Sequence, residues 1–175
     1  MDGNGRWAIK NNVPKQVGHE KGVKNCINIC QNLTKTNYNI REISFYVFST
    51  ENWKRNPVEV KNLFQLINSY YKNFEAIANE NNLLVRHCGS KRRLSKKLLK
   101  IIDDVTTKTK NNTGTRINLM FNYGSREEIS DAIKKIKGKI QDKNSIRKYF
   151  YIPDSKDPDL IIRTGGQMRL SNFML

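Results

Sequence analysis

Long apolar runs are missing from this chain of 175 residues. No stretch approaches the roughly 20 consecutive apolar residues that a membrane-spanning helix needs. Residues 1–15 are polar and carry glycines where a secretory leader would carry an apolar segment. A cytoplasmic protein is therefore expected, soluble or at most peripheral at a membrane surface. Cysteine is scarce too: Cys26, Cys30 and Cys88 make an odd count without a C-x-x-C pair. Cys26 and Cys30 stand four apart on the apolar side of an expected helix. They read as small buried hydrophobes, which fits a reducing compartment. No internal repeat and no low-complexity tract occurs. One domain is the default at this length, with chain enough for a real core.

Positive charge is what the chain has in excess. Its 32 Lys and Arg against 16 Asp and Glu leave a net +16. Such a field favours anionic partners: nucleic acid, anionic lipid headgroups or phosphorylated metabolites. The lysines are spread over every expected helix, and the aromatics sit in apolar faces instead of alternating with a basic stripe. That pattern argues against a basic nucleic-acid-binding module.

Hydrophobic periodicity alternates between strand-like and helix-like. Residues 43–48, 83–88, 117–121 and 160–162 read as strands. Residues 5–12 open a short helix, and Gly18-His19 reads as a turn into the next. That helix carries Val23, Cys26, Ile27, Cys30 and Leu33 on one face and stops at Asn37 and Asn39. The longest apolar face starts at Pro57 and takes in Val60, Leu63, Phe64, Ile67, Tyr70 or Tyr71, Phe74 and Ile77. Ser95 caps a helix bearing Leu98, Leu99, Ile102 and Val105. Ile129, Ala132, Ile133 and Ile136 give a later helix its inner face. Residues 138–158 are Lys-rich and read as a short helix plus loop. The alternation predicts an α/β domain with a mostly parallel sheet.

Chemistry gathers where these elements end. Met1-Asp2-Gly3-Asn4-Gly5-Arg6-Trp7 sets an acid and an arginine about two glycines. Glycine lets backbone N–H groups approach a ligand, and successive N–H groups form an anion nest. An acid beside a phosphate nest makes sense with a divalent cation between them, and Mg²⁺ takes one or two carboxylates plus phosphate oxygens. Asp2 thus reads as a metal anchor and Arg6 as a charge clamp, with a plain polar glycine turn as the alternative. Ser49-Thr50-Glu51-Asn52-Trp53-Lys54-Arg55 follows a strand end, where ligands bind in open α/β folds; a plain helix cap is the alternative. Arg163, Arg169, Ser171 and the Gly165-Gly166 pair have the makings of a second diphosphate site. His19 is either a surface residue or part of the first cradle. Lys91-Arg92-Arg93 is either solvated surface or a contact for lipid headgroups. His87, which alternates with apolar neighbours and has no visible partner in the sequence, reads as structural.

Five blocks carry a resemblance: residues 1–8 (M-D-G-N-G-R-W-A), 18–22 (G-H-E-K-G), 48–55 (F-S-T-E-N-W-K-R), 122–126 (N-Y-G-S-R) and 159–173. In that order and at these spacings the chain resembles the cis-prenyltransferases, the undecaprenyl and dehydrodolichyl diphosphate synthases, over essentially its whole length. The resemblance implies one cis-prenyltransferase domain over residues 1–175. Its fold would be a parallel sheet surrounded by helices, with a hydrophobic tunnel between sheet and helices for the growing isoprenoid. It implies condensation of isopentenyl diphosphate onto an allylic diphosphate such as farnesyl diphosphate, Mg²⁺-dependent, with a new cis double bond. It implies a homodimer as well. Asp2 would orient the Mg²⁺-bound diphosphate. Gly3, Asn4, Gly5, Arg6 and His19 would cradle the allylic diphosphate, with Trp7 and Lys15 in the same substrate set. Ser49, Thr50, Glu51, Asn52, Trp53 and Arg55 would belong to a mobile substrate loop, with Asn52 catalytic alongside Asp2. Arg163, Arg169 and Ser171 would hold isopentenyl diphosphate. The proton acceptor stays open among Asp2, His19, Asn52 and a diphosphate oxygen.

Departures from the family pattern matter. Lys15 stands where an arginine is common, Ser125 where a second glycine is usual, and Gln167 where an acid is usual. The family has a strand before the D-G-N-G motif and further segments after L-S-N-F-M-L, so a domain incomplete at both ends is expected. A non-catalytic partner subunit of a two-chain enzyme is the nearest rival. Such partners typically lose the acid that Asp2 supplies. The D-D-x-x-D metal box of trans-prenyltransferases is absent: Asp103-Asp104 has no third Asp at that spacing.

Overall fold

Residues 42–49 read E-I-S-F-Y-V-F-S. Their β-branched and aromatic side chains form strand β1 (Glu42–Ser49). β2 (Leu84–Cys88) and β3 (Arg116–Tyr123) join it in one parallel sheet of order β1-β3-β2. Parallel neighbours need a crossover. The long amphipathic stretch supplies the first as α3 (Pro57–Glu80), and α4 (Lys96–Lys108) supplies the second. Before the sheet come α1 (Asn4–Lys10) and α2 (Lys15–Leu33), and after it α5 (Ser125–Lys135). Short 3-10 turns occupy Thr50–Lys54 and Arg147–Tyr149. The computed structural model describes residues 2–33, 39–136, 142 and 145–175. The Leu33 side chain, the expected stop at Asn37 and part of the Lys-rich stretch lie outside the described residues.

The register sets Ile43 and Val85 on either side of Ile117. On that face Ile43, Phe45, Val85, Ile117 and Leu119 meet Cys30 of α2, Tyr71, Phe74 and Ala78 of α3, and Val105 of α4. Full burial of Leu83 and Ile117 contributes on the order of 1.5–3 kcal/mol each. The opposite face sets Tyr46, Cys88, Met120 and Tyr123 against Tyr151, Ile152, Phe173 and Met174. The cap expected at Ser95 is formed, and Asn56 supplies another. Asn56 Oδ1 accepts from Val58 N at 2.9 Å ahead of Pro57, and Ser95 Oγ accepts from Leu98 N at 3.3 Å.

Three local expectations are corrected. Residues 160–162 form no strand, and Leu160 and Ile162 are 74% and 78% exposed. A strand needs a ladder partner, and among the described residues none pairs with this segment. Gly18 and His19 lie inside α2 instead of in a turn. A Cβ at Gly18 would stand 2.2 Å from Asn4 O, so this glycine permits helix contact. Ile133 is 55% exposed and Ile136 lies beyond α5; the buried side of that helix is Ser125, Glu128 and Ala132. Glu128 turns inward because its carboxylate accepts from Tyr123 OH at 2.7 Å and Tyr151 N at 2.9 Å.

Candidate active site

Gly3 caps α1 at φ 91°, with no side-chain cap. It lies against Gly165, itself at φ 85°. A Cβ on Gly165 would come 3.0 Å from Gly3 N, 3.1 Å from Gly3 Cα and 2.7 Å from Arg6 Nη2. Two backbones touch here because neither residue carries a side chain. Thr164 pins the same junction: its Oγ1 donates to Asp2 O and accepts from Asp2 N, both at 2.9 Å.

Asp2 is the centre of this junction. Its Oδ1 accepts from Gly3 N at 2.7 Å and from Arg6 Nη2 at 3.3 Å. Its Oδ2 accepts from Arg163 Nε at 3.1 Å and Nη2 at 3.0 Å. Partial burial pushes the carboxyl up, but the Arg163 hydrogen bond, the Gly3 N–H and the two guanidinium charges outweigh it. The net shift is below the ordinary carboxylate range. Arg163 reaches further, from Nη1 to Arg169 O and to Ser171 Oγ, the latter at 2.7 Å. The Arg169 guanidinium turns to Gln167 Oε1 at 2.6 Å.

The loop after β1 abuts this cluster. A register shift between Tyr46 and Ser49 bends the strand end. Asn52 Oδ1 then accepts from Ser49 N at 3.0 Å and closes the turn. Glu51 Oε1 accepts from Asn172 Nδ2 at 2.7 Å, while Asn172 Oδ1 accepts from Arg126 N at 3.0 Å. Gly124 makes room for both: a Cβ there would lie 2.6 Å from Thr50 Oγ1 and from Asn172 Nδ2. Tyr46 OH lies 3.3 Å from the carbonyls of both Tyr123 and Ser171. Burial, with the charge of Glu51 second, pushes this phenol up to about 12. Trp53 packs edge-on against Phe48 and Phe64.

His19, Lys15, Arg55 and Glu59 form a neighbouring electrostatic group. Burial lowers the His19 pKa, Glu59 opposes this, and Arg55 and Lys15 lower it further; the net shift is downward. Arg55 Nη1 donates to Glu59 Oε1 at 3.0 Å. Asn4 faces α2, where a Cβ at Gly22 would stand 2.3 Å from its Nδ2. The Lys21 ammonium lies 4.9 Å from the centroid of the Trp7 ring. His87, expected to be structural, has its Nε2 2.9 Å from Phe121 O.

Asp2, Gly3, Arg6, Arg163 and Ser171 thus come together in one linked cluster. Ser49, Thr50, Glu51 and Asn52 are tied to it through Asn172. Sequence reasoning missed Thr164 and Asn172, whose residue types carry no signal by themselves. It also missed the helix contact of Gly18 and Gly22, signalled by their four-residue spacing. Along α3, on the side toward α4, runs a groove of about 640 Å³ with Trp53, Val60, Phe64, Leu98 and Ile101 in its walls. On the sheet side of α3, where a tunnel is expected, Tyr71, Phe74 and Ala78 pack onto the core around Ile117.

Among the described residues no three His, Cys, Asp or Glu side chains converge. A Mg²⁺ here would be held by the Asp2 carboxylate together with substrate phosphate oxygens, a donor set that this ion favours. No helix of the described chain is long and apolar enough to cross a membrane.

Fold and geometry together define an α/β protein in which Arg6 and Arg163 gather about Asp2, beside the loop that follows β1. The family model described as "putative undecaprenyl diphosphate synthase" matches residues 1–175, and the chain belongs to this prenyltransferase family. It is 40% identical over 184 residues to an isoprenyl transferase of Shouchella clausii, covering 100% of this chain and 71% of that one. An isoprenyl transferase of Fusobacterium nucleatum is 41% identical over 179 residues, covering 100% and 76%. Among solved structures, lavandulyl diphosphate synthase from Lavandula x intermedia in complex with dimethylallyl diphosphate matches with TM-score 0.93 at 26% identity. That match covers 100% of this chain and 79% of that one. A probable undecaprenyl diphosphate synthase from Campylobacter jejuni matches with TM-score 0.74 at 31% identity, covering 85% and 72%.

Proposed function

We propose that this cis-prenyltransferase condenses isopentenyl diphosphate onto an allylic diphosphate, farnesyl diphosphate being the expected starter, and builds a long-chain polyprenyl diphosphate. The observation that supports this most is the contact of Gly3 with Gly165 under the Asp2–Arg163 pair. It brings two segments, each suited to a diphosphate, side by side. In the reaction the allylic C–O bond breaks and its electron pair leaves with diphosphate. The isopentenyl double bond attacks the allylic carbon, a proton leaves, and a cis double bond remains.

The residues divide that work. Gly3, Asn4, Gly5, Arg6 and His19 hold the allylic diphosphate, and Arg163, Arg169 and Ser171 hold the other. Holding both reactants in one geometry removes much of the entropic barrier. The guanidinium groups stabilise charge as it develops on the leaving diphosphate. Mg²⁺, when bound through Asp2, would neutralise part of that charge as a Lewis acid. The loop bearing Asn52 and Trp53 aligns the substrates and excludes water, with Asp2 and Asn52 as catalytic residues. A tunnel along α3 would take the growing chain. A homodimer, a cytoplasmic location and peripheral contact with membrane lipid belong to the same proposal.

The test is an assay with farnesyl diphosphate, labelled isopentenyl diphosphate, Mg²⁺ and detergent, counting label in an organic extract. Label that disappears with Asp2→Ala or with a chelator supports the proposal. Absence of label with folded protein refutes it and favours a non-catalytic partner subunit.

A further inference from the structure

Asn122 ends β3 at φ 56°, a conformation that non-glycine residues seldom take and that Asn tolerates better than most. It is 3% exposed, and its amide is fully engaged. Oδ1 accepts from Trp53 Nε1 at 2.8 Å, while Nδ2 donates to Ser90 O at 2.8 Å and Arg92 O at 2.9 Å. This pattern fixes the sense of the amide. Flipped, it would set NH₂ against the indole N–H and its oxygen against two carbonyls. The loop that carries Ser90 and Arg92 approaches this closely because it begins at Gly89. A Cβ there would stand 2.2 Å from Phe121 O and 2.9 Å from Asn122 O. The same loop ends in Arg93, at φ 65°, with its guanidinium carbon 4.4 Å from the centroid of the Trp53 ring. Phe48 and Phe64 pack edge-on against the indole at 5.2 and 5.4 Å.

The orientation of Trp53 is therefore dictated from outside its own loop. Its N–H is held by a strand end, its ring by a guanidinium and two phenyl rings. We propose that Asn122 is a positioning residue for Trp53 and, through it, sets the affinity of the substrate loop for the allylic diphosphate. This rests on the reading of residues 49–55 as that loop. Glu and Asp cannot replace Asn122, since a carboxylate would face two carbonyls; an aliphatic residue would leave the indole N–H and both carbonyls without partners.

The fluorescence measurement uses Trp7→Phe as background, leaving Trp53 as the sole indole of the chain's two tryptophans, and the kinetic measurement keeps Trp7. Into both backgrounds go Asn122→Asp, which keeps an acceptor but loses both donors, and Asn122→Gly, which keeps the positive φ but loses the side chain. Emission of Trp53 is recorded first, then the KM for farnesyl diphosphate and for isopentenyl diphosphate separately. The expected result is a shifted Trp53 emission in both variants, with KM for the allylic substrate raised about tenfold or more. KM for isopentenyl diphosphate should stay within about twofold. Adding Asn122→Asp to Trp53→Phe should raise the allylic KM no further than Trp53→Phe does alone. Unchanged emission overturns the proposal, and so does an equal rise of both KM values, which would mark Asn122 as structural only. Failure of the functional reading is separate: it appears as no label incorporated by the parent protein, whatever Asn122 does to emission.

Discussion

Alanine at Gly165 and alanine at Gly166 differ by one methyl environment, and the structure gives each its own magnitude. Both glycines have positive φ, 85° and 70°. An L-residue in that region loses about 1–2 kcal/mol. At Gly166 nothing lies within 4 Å of an added Cβ, so conformational strain is the whole effect. At Gly165 the methyl would also meet Gly3 N at 3.0 Å and Gly3 Cα at 3.1 Å, which are backbone atoms and cannot swing aside. Overpacking of that kind typically costs about 1–3 kcal/mol more. Urea unfolding should therefore show Gly165→Ala less stable than Gly166→Ala by about 1–3 kcal/mol. On the function proposed above, in which this contact spaces two diphosphate cradles, the activity difference should be larger. A displacement of about 1 Å costs on the order of 100-fold in rate, so label incorporation by Gly165→Ala should fall by about that factor. Gly166→Ala should lose less than about tenfold. Equal losses in the two variants, in stability and in activity, would refute the claim that the glycine contact spaces the site.

Three further outcomes are expected. The His19 pKa lies below its ordinary value, chiefly through burial, so folding favours the neutral ring. That stability is complete above about pH 6.5 and is lost as pH falls through the lower folded value. The His19 ring protons, followed by NMR with His87→Gln for assignment, should titrate below the ordinary range and move upward on adding farnesyl diphosphate; an unmoved titration would remove His19 from the cradle. The depressed Asp2 carboxyl has the same sign at lower pH: its contribution is present above about pH 4 and fades as pH falls through the folded value. Asp2→Asn should therefore flatten the acid limb of a urea-midpoint profile, and an unchanged limb would contradict the Arg163 pairing. Asn52→Ala leaves Ser49 N without its acceptor and should lower stability by about 1 kcal/mol in thermal unfolding.

The alternating fold was legible because strands such as residues 43–48 and helices such as residues 57–80 differ in period. What escaped were features that depend on a neighbour. Residues 160–162 have strand composition, yet composition cannot supply a ladder partner. Gly18 looked like a turn residue; only the path of α1 shows that Asn4 O occupies the place of its Cβ. Ile133 looked like core, yet Glu128 takes the buried side of its helix because Tyr123 and Tyr151 supply it with hydrogen bonds. The candidate site residues drew notice in advance because Asp, Gly and Arg gathered in one short segment are chemically unusual. Thr164, Asn122 and Asn172 did not, since a hydroxyl or amide acquires its role from where the chain places its partners. Wall and core positions along α3 both call for Phe, Leu and Ile, so sequence cannot separate them.

The pairing of Asp2 with Thr164 joins positions 162 residues apart. At a ribosomal pace of roughly 5–20 residues per second, the first half of the site waits about 8–30 s for the second. During that interval the nascent chain carries Asp2 and Arg6 without Arg163. The Asp2–Arg163 junction is thus withheld until translation has delivered nearly everything described here.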